Sequence, residues 1–142
     1  MAKDKNAGQR QKAPPPPAEH WKNEPEAHDF PAAADYLSLL LAPHLVARVV
    51  TLLEEAETTR HKAKDLLRAS NLPLLGVDNP HVASDLERVR RGERLSPVLL
   101  VRGSLLAGHA LVVADGYHRI CASYHLNENA EIPCRMVTAP GR

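Results

Sequence analysis

The chain's best candidates for chemistry are five adjacent residues: Asp115, Gly116, Tyr117, His118 and Arg119. They follow a short apolar segment and open a stretch in which apolar residues recur at helical spacing. Gly116 lets the backbone turn sharply and lets a ligand approach it closely. A helix that starts there presents free N–H groups and the positive end of its dipole, which favour an anion. His118 and Arg119 add donors, and a guanidinium fork fits phosphate or carboxylate oxygens.

The same motif also fits a purely structural turn. Asp115 suits the N-cap position, where its carboxylate accepts hydrogen bonds from the first N–H groups of the helix. On that interpretation the Asp-Gly pair is a capped turn, and His118 and Arg119 are solvated side chains. Short glycine turns into helices are common, so the pattern alone leaves both interpretations open.

A second polar group lies on the helix predicted before this motif. Asn79 and Pro80 form a typical helix start, with asparagine as the N-cap and proline at the first helical position. His81, Ser84 and Arg88 follow at spacings that place them on one helix face. A hydroxyl and two potential cations therefore share a stripe, which an ordinary solvated helix face would also present.

The elements around these residues predict an α+β fold. Ser96–Arg102 is typical of an apolar strand, residues 103–109 form a glycine-bearing hairpin loop, and residues 110–114 return as a second strand. The motif then begins a helix, and Glu131–Val137 is the last predicted strand. We expect helices packed on a small mixed or antiparallel sheet.

The chain divides into three predicted parts. Residues 1–28 are basic at first and contain the Pro14–Pro17 run, a composition that predicts a disordered tail. Such a tail could also serve as a basic arm on nucleic acid or as a proline-rich ligand. Residues 29–71 form a helical N-terminal segment, and residues 72–138 form the core that carries the motif.

Within the helical segment, Asp29 is a candidate cap for the first helix. Pro43 separates that helix from the second, and a further helical piece is predicted from His61 to Ala69. The core begins with residues 72–77, which fit either a short strand or an extended lead-in.

Composition excludes several classes of protein. Lys and Arg number 18 against 17 for Asp and Glu, so no strong field points to nucleic acid or to an anionic membrane. One Phe, one Trp and three Tyr are too few for a base-stacking platform. Cys121 and Cys134 are expected to be buried free thiols in a reducing compartment. No apolar run could cross a bilayer and no signal peptide is evident, so we expect a cytoplasmic protein without a membrane partner.

The run from Asp78 to Val137 resembles the core of the ParB/sulfiredoxin fold. The features that occur in the same order are the Asn79-Pro80 helix start, the Ser96-Pro97 strand, the glycine-bearing hairpin, the Asp115–Arg119 turn and the Ile132-Pro133 strand. Sulfiredoxins carry Gly-Gly-Cys-His-Arg at this turn, with the His-Arg pair on ATP phosphates. ParB proteins use a Gly-Glu-Arg-Arg box that holds CTP phosphates, and a free-serine kinase branch carries Asp-Gly-His-His-Arg.

This resemblance implies that Gly116, His118 and Arg119 line a phosphate pocket. It also places His81, Ser84 and Arg88 near positions that sulfiredoxins use around ATP. The implied ligand is a nucleotide or another phosphate-bearing small molecule, with ATP or CTP and Mg²⁺ as candidate cofactors. Arg119 is then expected to point at the ligand and to contribute little to the core.

Some residues depart from the family pattern. Tyr117 stands where sulfiredoxins have their nucleophilic cysteine, so we do not expect sulfinic-acid reduction by that route; its role should be packing and orientation. Cys121 lies one helical turn later, at a spacing that suits the core. A kinase or NTPase would need a carboxylate as base or metal ligand, for which Asp78 and Asp115 are candidates.

Three functions follow as hypotheses. The first is a nucleotide- or phosphate-binding domain, with NTP hydrolysis or phosphotransfer as an extension of that function. The second is a DNA-associated or nuclease-type ParB-like protein, in which the basic tail and the Arg88–Arg94 cluster contact phosphates. The third is a non-catalytic interaction module that keeps the fold alone.

Overall fold

The computed structural model describes residues 20–141. Within that range the fold is α+β, as predicted. Its helices and strands are α1 (Asp29–Leu37), α2 (Pro43–Glu55), β1 (Thr59–Lys62), α3 (Ala63–Ser70), α4 (Pro80–Arg90), β2 (Val98–Val101), β3 (Val112–Asp115), α5 (Tyr117–Leu126) and β4 (Glu131–Val137).

The four strands form one mixed sheet in the order β1-β4-β2-β3. The β2–β3 pair is antiparallel, which confirms the predicted hairpin, whereas β2 and β4 run parallel. β2 lies inside the sheet and all four of its residues are buried, which explains its uninterrupted apolar sequence.

Helices cover both faces of this sheet. Val98 and Leu100 of β2 pack with side chains of α3, α4 and α5, whereas Leu99 and Val101 pack with side chains of α1 and α2. This division follows from the alternation of side chains along a strand. The predicted helical segment and the predicted core therefore share a single sheet.

The prediction of a helix from His61 is wrong at its start. Residues 59–62 form β1, in which His61 lies opposite Ile132 and Lys62 lies opposite Glu131 of β4. Lys62 keeps an extended backbone, and α3 begins only at Ala63. Pairing with a distant strand overrides the helical spacing here, because strand formation depends on such partners.

The predicted disordered tail is wrong for residues 20–28. Trp21 is only 2% exposed and packs into the core. The Lys22 N–H donates to the Leu95 carbonyl at 2.7 Å, and the Leu95 N–H donates to the His20 carbonyl at 2.8 Å. Burial of one large aromatic ring holds this polar segment to the domain. The rest of the predicted tail, with its proline run, lies outside the described residues.

Residues 72–77 form no strand, so the lead-in alternative is correct. This segment accepts two hydrogen bonds from α5: the Tyr117 hydroxyl donates to the Pro73 carbonyl at 2.6 Å, and His125 Nε2 lies 2.7 Å from the Leu75 carbonyl. None of the helices in residues 20–141 has the length and apolar character needed to cross a bilayer.

Candidate functional site

One face of α4 and the N-terminus of α5 enclose a polar cavity of about 310 Å³. The residues that line it are His81, Ser84, Asp85, Arg88, Asp115, Gly116, Tyr117, His118 and Arg119. All eight residues singled out by the sequence are therefore brought together in one place. The ninth, Asp85, was missed, although it lies four residues after His81 and so on the same helix face.

Gly116 makes the close approach of α5 to the sheet possible. Its φ is +110°, a conformation that side chains rarely adopt. An added Cβ would lie 2.4 Å from Cγ1 of Val98, which is fully buried in β2. The turn can therefore take no other residue without moving the core.

The prediction that Asp115 caps α5 is wrong. Gly116 occupies the N-cap position, and no side chain among residues 20–141 accepts a hydrogen bond from the first turn. Asp115 is the last residue of β3, one position too early for a cap, and its Oδ2 instead accepts from Nη2 of Arg119 at 3.0 Å. The first N–H groups of α5 thus have no side-chain acceptor where the helix meets the cavity.

The expectation that Arg119 points at a ligand and contributes little to the core is also wrong. Its Nε donates to the Ser96 carbonyl at 2.9 Å, and its Nη2 donates to the Pro97 carbonyl at 3.1 Å. With the bond to Asp115, these contacts fasten α5 to the entrance of β2. Nη1 has no hydrogen-bond partner within residues 20–141. Arg119 still lines the cavity, as a fixed positive charge.

Asp115 lies in an environment that disfavours its charge. Burial raises the pKa of Asp115 and the nearby Asp29 carboxyl raises it further, while the Arg119 guanidinium acts in the opposite direction. Asp29 itself is buried and accepts a hydrogen bond from the Glu26 N–H at 2.9 Å. It does not cap α1 as predicted, because it is the first residue of that helix and His28 holds the N-cap position.

Two imidazoles meet across the cavity. The ring centroids of His81 and His118 are 4.7 Å apart, with the planes inclined by 45°. Burial lowers the pKa of His118, and the charges of His81 and Arg119 lower it as well, against the effect of Asp85. The pair therefore combines one ring from α4 with one from α5.

Asp85 and Arg88 complete the α4 side. Nη1 of Arg88 lies 3.6 Å from Oδ1 of Asp85, and Nε of Arg88 donates to Oε1 of Glu93 at 3.3 Å. Burial raises the pKa of Asp85, opposed by four neighbouring cations or potential cations: Arg119, Arg88, His118 and His81. Asp78, the other predicted carboxylate, does not line the cavity.

Tyr117 forms a wall of the cavity while its hydroxyl is bonded to Pro73. Its ring centroid lies 5.6 Å from that of His118, and burial raises the pKa of its phenol.

Cys121 and Cys134 are buried and unpaired, as predicted. Burial also raises the pKa of Cys121, so its thiol is unsuited to act as a nucleophile in place of the family cysteine.

The chain matches no family model, no curated protein and no solved structure. The resemblance to the ParB/sulfiredoxin fold stays a prediction. Within residues 20–141, no three or more His, Cys, Asp or Glu side chains are grouped so that they could hold a metal ion. Function is therefore inferred from the donors and charges of the cavity.

Proposed function

We propose that the cavity binds the phosphate group of a small molecule, and that this molecule is a nucleotide. The observation that supports the proposal is the meeting of His81, Arg88 and His118 with the uncapped N-terminus of α5 in one polar cavity. Imidazole and guanidinium groups donate to phosphate oxygens, and an open helix N-terminus favours negative charge. By contrast, another cavity, of about 530 Å³ between α1 and the β2–β3 hairpin, is lined mostly by apolar side chains.

The charges of the cavity are closely balanced before a ligand arrives. Arg119 is paired with Asp115, and Arg88 lies beside Asp85. The attraction for an anion must then come from the α5 N-terminus, from the unshared donors of the two arginines, and from the two imidazoles. These groups fit a phosphate better than a neutral ligand.

Phosphotransfer or NTP hydrolysis is the catalytic extension of this proposal. Such a reaction needs a group that orients or deprotonates the attacking hydroxyl or water. Asp85 fits that role better than Asp115, because Asp115 is bonded to Arg119 whereas Asp85 has only a longer contact, with Arg88. Mg²⁺ would enter with the nucleotide phosphates, since this is how the ion is commonly bound.

A thermal-shift screen with ATP, CTP, GTP and their diphosphates, with and without Mg²⁺, tests the proposal. A ligand that binds only the folded state raises the melting temperature. Arg88→Ala should weaken binding about tenfold, or about 1.4 kcal/mol, because a charged donor is lost. Arg90→Ala is the matched control, because Arg90 lies on the same helix but pairs with Glu87 outside the cavity.

Two outcomes would contradict phosphate binding: no nucleotide raises the melting temperature, or Arg88→Ala and Arg90→Ala bind equally well. The interaction-module hypothesis would then take its place. The observation that supports the interaction-module hypothesis is a pair of exposed apolar side chains in the loop between β2 and β3. Leu105 and Leu106 are 98% and 101% exposed there.

Binding to nucleic acid has weaker support. Arg88 and Arg91 both pair with Glu93, and Arg90 pairs with Glu87, so carboxylates offset most of this basic cluster. A nucleic-acid complex held by phosphate contacts would weaken steeply as salt rises.

We also propose a cytoplasmic location, because the two cysteines are unpaired and thiols persist in a reducing compartment.

A further inference from the structure

The His81 and His118 rings lie close enough that the protonation of one affects the protonation of the other. The two rings come from different helices, and their centroids are only 4.7 Å apart. If both rings are protonated, their charges repel each other at this distance. In the absence of an anion, the doubly protonated form of the pair is therefore disfavoured.

The groups that face this pair come from each element around the cavity. They are Asp85 and Arg88 of α4, Asp115 at the end of β3, and Tyr117 and Arg119 of α5. Arg119 disfavours a second imidazolium, whereas Asp85 favours it. Asp115 is bonded to Arg119, which leaves Asp85 as the carboxylate that acts on the pair.

We propose that anion binding in this cavity is coupled to proton uptake by the His81–His118 pair, so that the site holds a dianionic phosphate most tightly when both rings are charged. This coupling rests on the proposed function. A dianion beside both rings attracts each imidazolium and offsets their mutual repulsion. The proton comes from solvent and is returned when the anion leaves.

The direction of the pH dependence follows from linkage. An unperturbed histidine has a pKa of about 6.5, and burial and the neighbouring charges lower the pKa of His118 in the free protein. A bound anion raises it. Affinity must then increase as the pH falls through neutrality and level off once both rings are charged without a ligand. Protonation of Asp85 would strengthen binding further, at more acidic pH.

Sulfate is the probe for this coupling, because it stays a dianion throughout the range in which histidine titrates. Calorimetry from about pH 5.5 to about pH 8.5 covers that range, and two buffers of different ionisation enthalpy give the number of protons taken up. We expect about one proton per sulfate near neutral pH and up to about a tenfold gain in affinity for each pH unit lowered.

His118→Asn and His81→Asn should each reduce the proton uptake, and the double variant should abolish it and flatten the pH profile, because asparagine keeps a donor but cannot be charged. His44→Asn is the matched control, since His44 is exposed on α2 and does not line the cavity. Asp85→Asn removes the carboxylate that favours protonation of the pair, so the proton uptake should persist but move to lower pH, and the further gain in affinity at acidic pH should be lost.

Sulfate binding without proton uptake overturns the coupling and leaves the proposed function intact. A pH profile that persists in the double histidine variant and disappears in Asp85→Asn also overturns it, in favour of the carboxylate. So does nucleotide binding without sulfate binding, because the imidazole pair would then not be what holds the dianion. If neither sulfate nor any nucleotide binds, the proposed function fails, and the coupling fails with it.

Discussion

The two helices that form the cavity begin in opposite ways. At the start of α4, Oδ1 of Asn79 accepts from the N–H groups of His81 and Val82 at 2.9 and 3.2 Å. At the start of α5, Gly116 carries no side chain, and in the described part of the chain no side chain caps the first turn. Since every helix begins with N–H groups that lack intrahelical partners, α4 satisfies its own donors and α5 leaves them for another acceptor.

Because of this difference, the α4 start contributes to the stability of the fold, whereas the α5 start is available to bind an anion. Residues that complete the α4 start contribute to the free energy of unfolding and offer little to an anion. At the α5 start, Gly116 lies close to Val98 of β2 and Arg119 bonds to the segment just before β2, while the open N–H groups stay at the cavity. Substitutions at the two helix starts should therefore have effects of different size and kind.

The largest effect is expected for Gly116→Ala. The alanine would combine a left-handed backbone, at about 1–2 kcal/mol, with a clash against buried Val98, at about 1–3 kcal/mol, so stability should fall by about 2–5 kcal/mol. Gly92→Ala is the control, because Gly92 also has a positive φ, of +85°, but has no atom within 4 Å of an added Cβ. If urea unfolding shows the same loss of unfolding free energy for both variants, the contact with Val98 does not contribute to the effect.

Arg119→Ala should follow, with a loss of about 2–3 kcal/mol from its charged hydrogen bonds. Its side chain is 15% exposed, and its partners belong to the segment just before β2 and to the end of β3. Arg119→Lys should recover only part, because one ammonium cannot replace both Nε and Nη2. Arg88→Ala, at a side chain 36% exposed, should cost less than about 1 kcal/mol. If Arg119→Ala and Arg88→Ala unfold at the same urea concentration, the structural role of Arg119 is refuted.

A smaller loss is expected at the capped helix. Asn79→Ala removes the acceptor for two N–H groups of α4 and should lower stability by about 1 kcal/mol, with nucleotide affinity unchanged. Asn79→Ser keeps a capping oxygen and should retain most of the stability. Thermal unfolding with and without nucleotide checks both statements, and a loss of affinity in Asn79→Ala would mean that the α4 start takes part in binding.

An effect of similar or smaller size is expected for Tyr117→Phe. The variant loses the hydrogen bond to Pro73, which should cost about 0.5–1.5 kcal/mol, and nucleotide affinity should stay within a few fold. Tyr124→Phe on the same helix is the control, since the Tyr124 hydroxyl has no hydrogen-bond partner within residues 20–141. A fall in affinity of more than about tenfold would assign the Tyr117 hydroxyl to the ligand.

Local signals in the sequence determined much of what forms the site. The Asn79-Pro80 start, the β2–β3 hairpin and the glycine turn at Gly116 each depend on residues within a few positions of one another, so their chemistry can be read in order. Helical spacing alone placed His81, Ser84 and Arg88 on one face, and the structure has that face at the cavity.

Only the tertiary structure decided what several of these side chains do. Arg119 donates to the carbonyls of Ser96 and Pro97, which are 23 and 22 residues away. These bonds make an arginine that was expected to bind a ligand into one that fastens α5 to the segment leading into β2. Trp21 is buried beside Leu95, and β1 exists because β4 pairs with it. Spacing along the chain does not specify which distant atoms will meet, because packing of the whole core selects those partners.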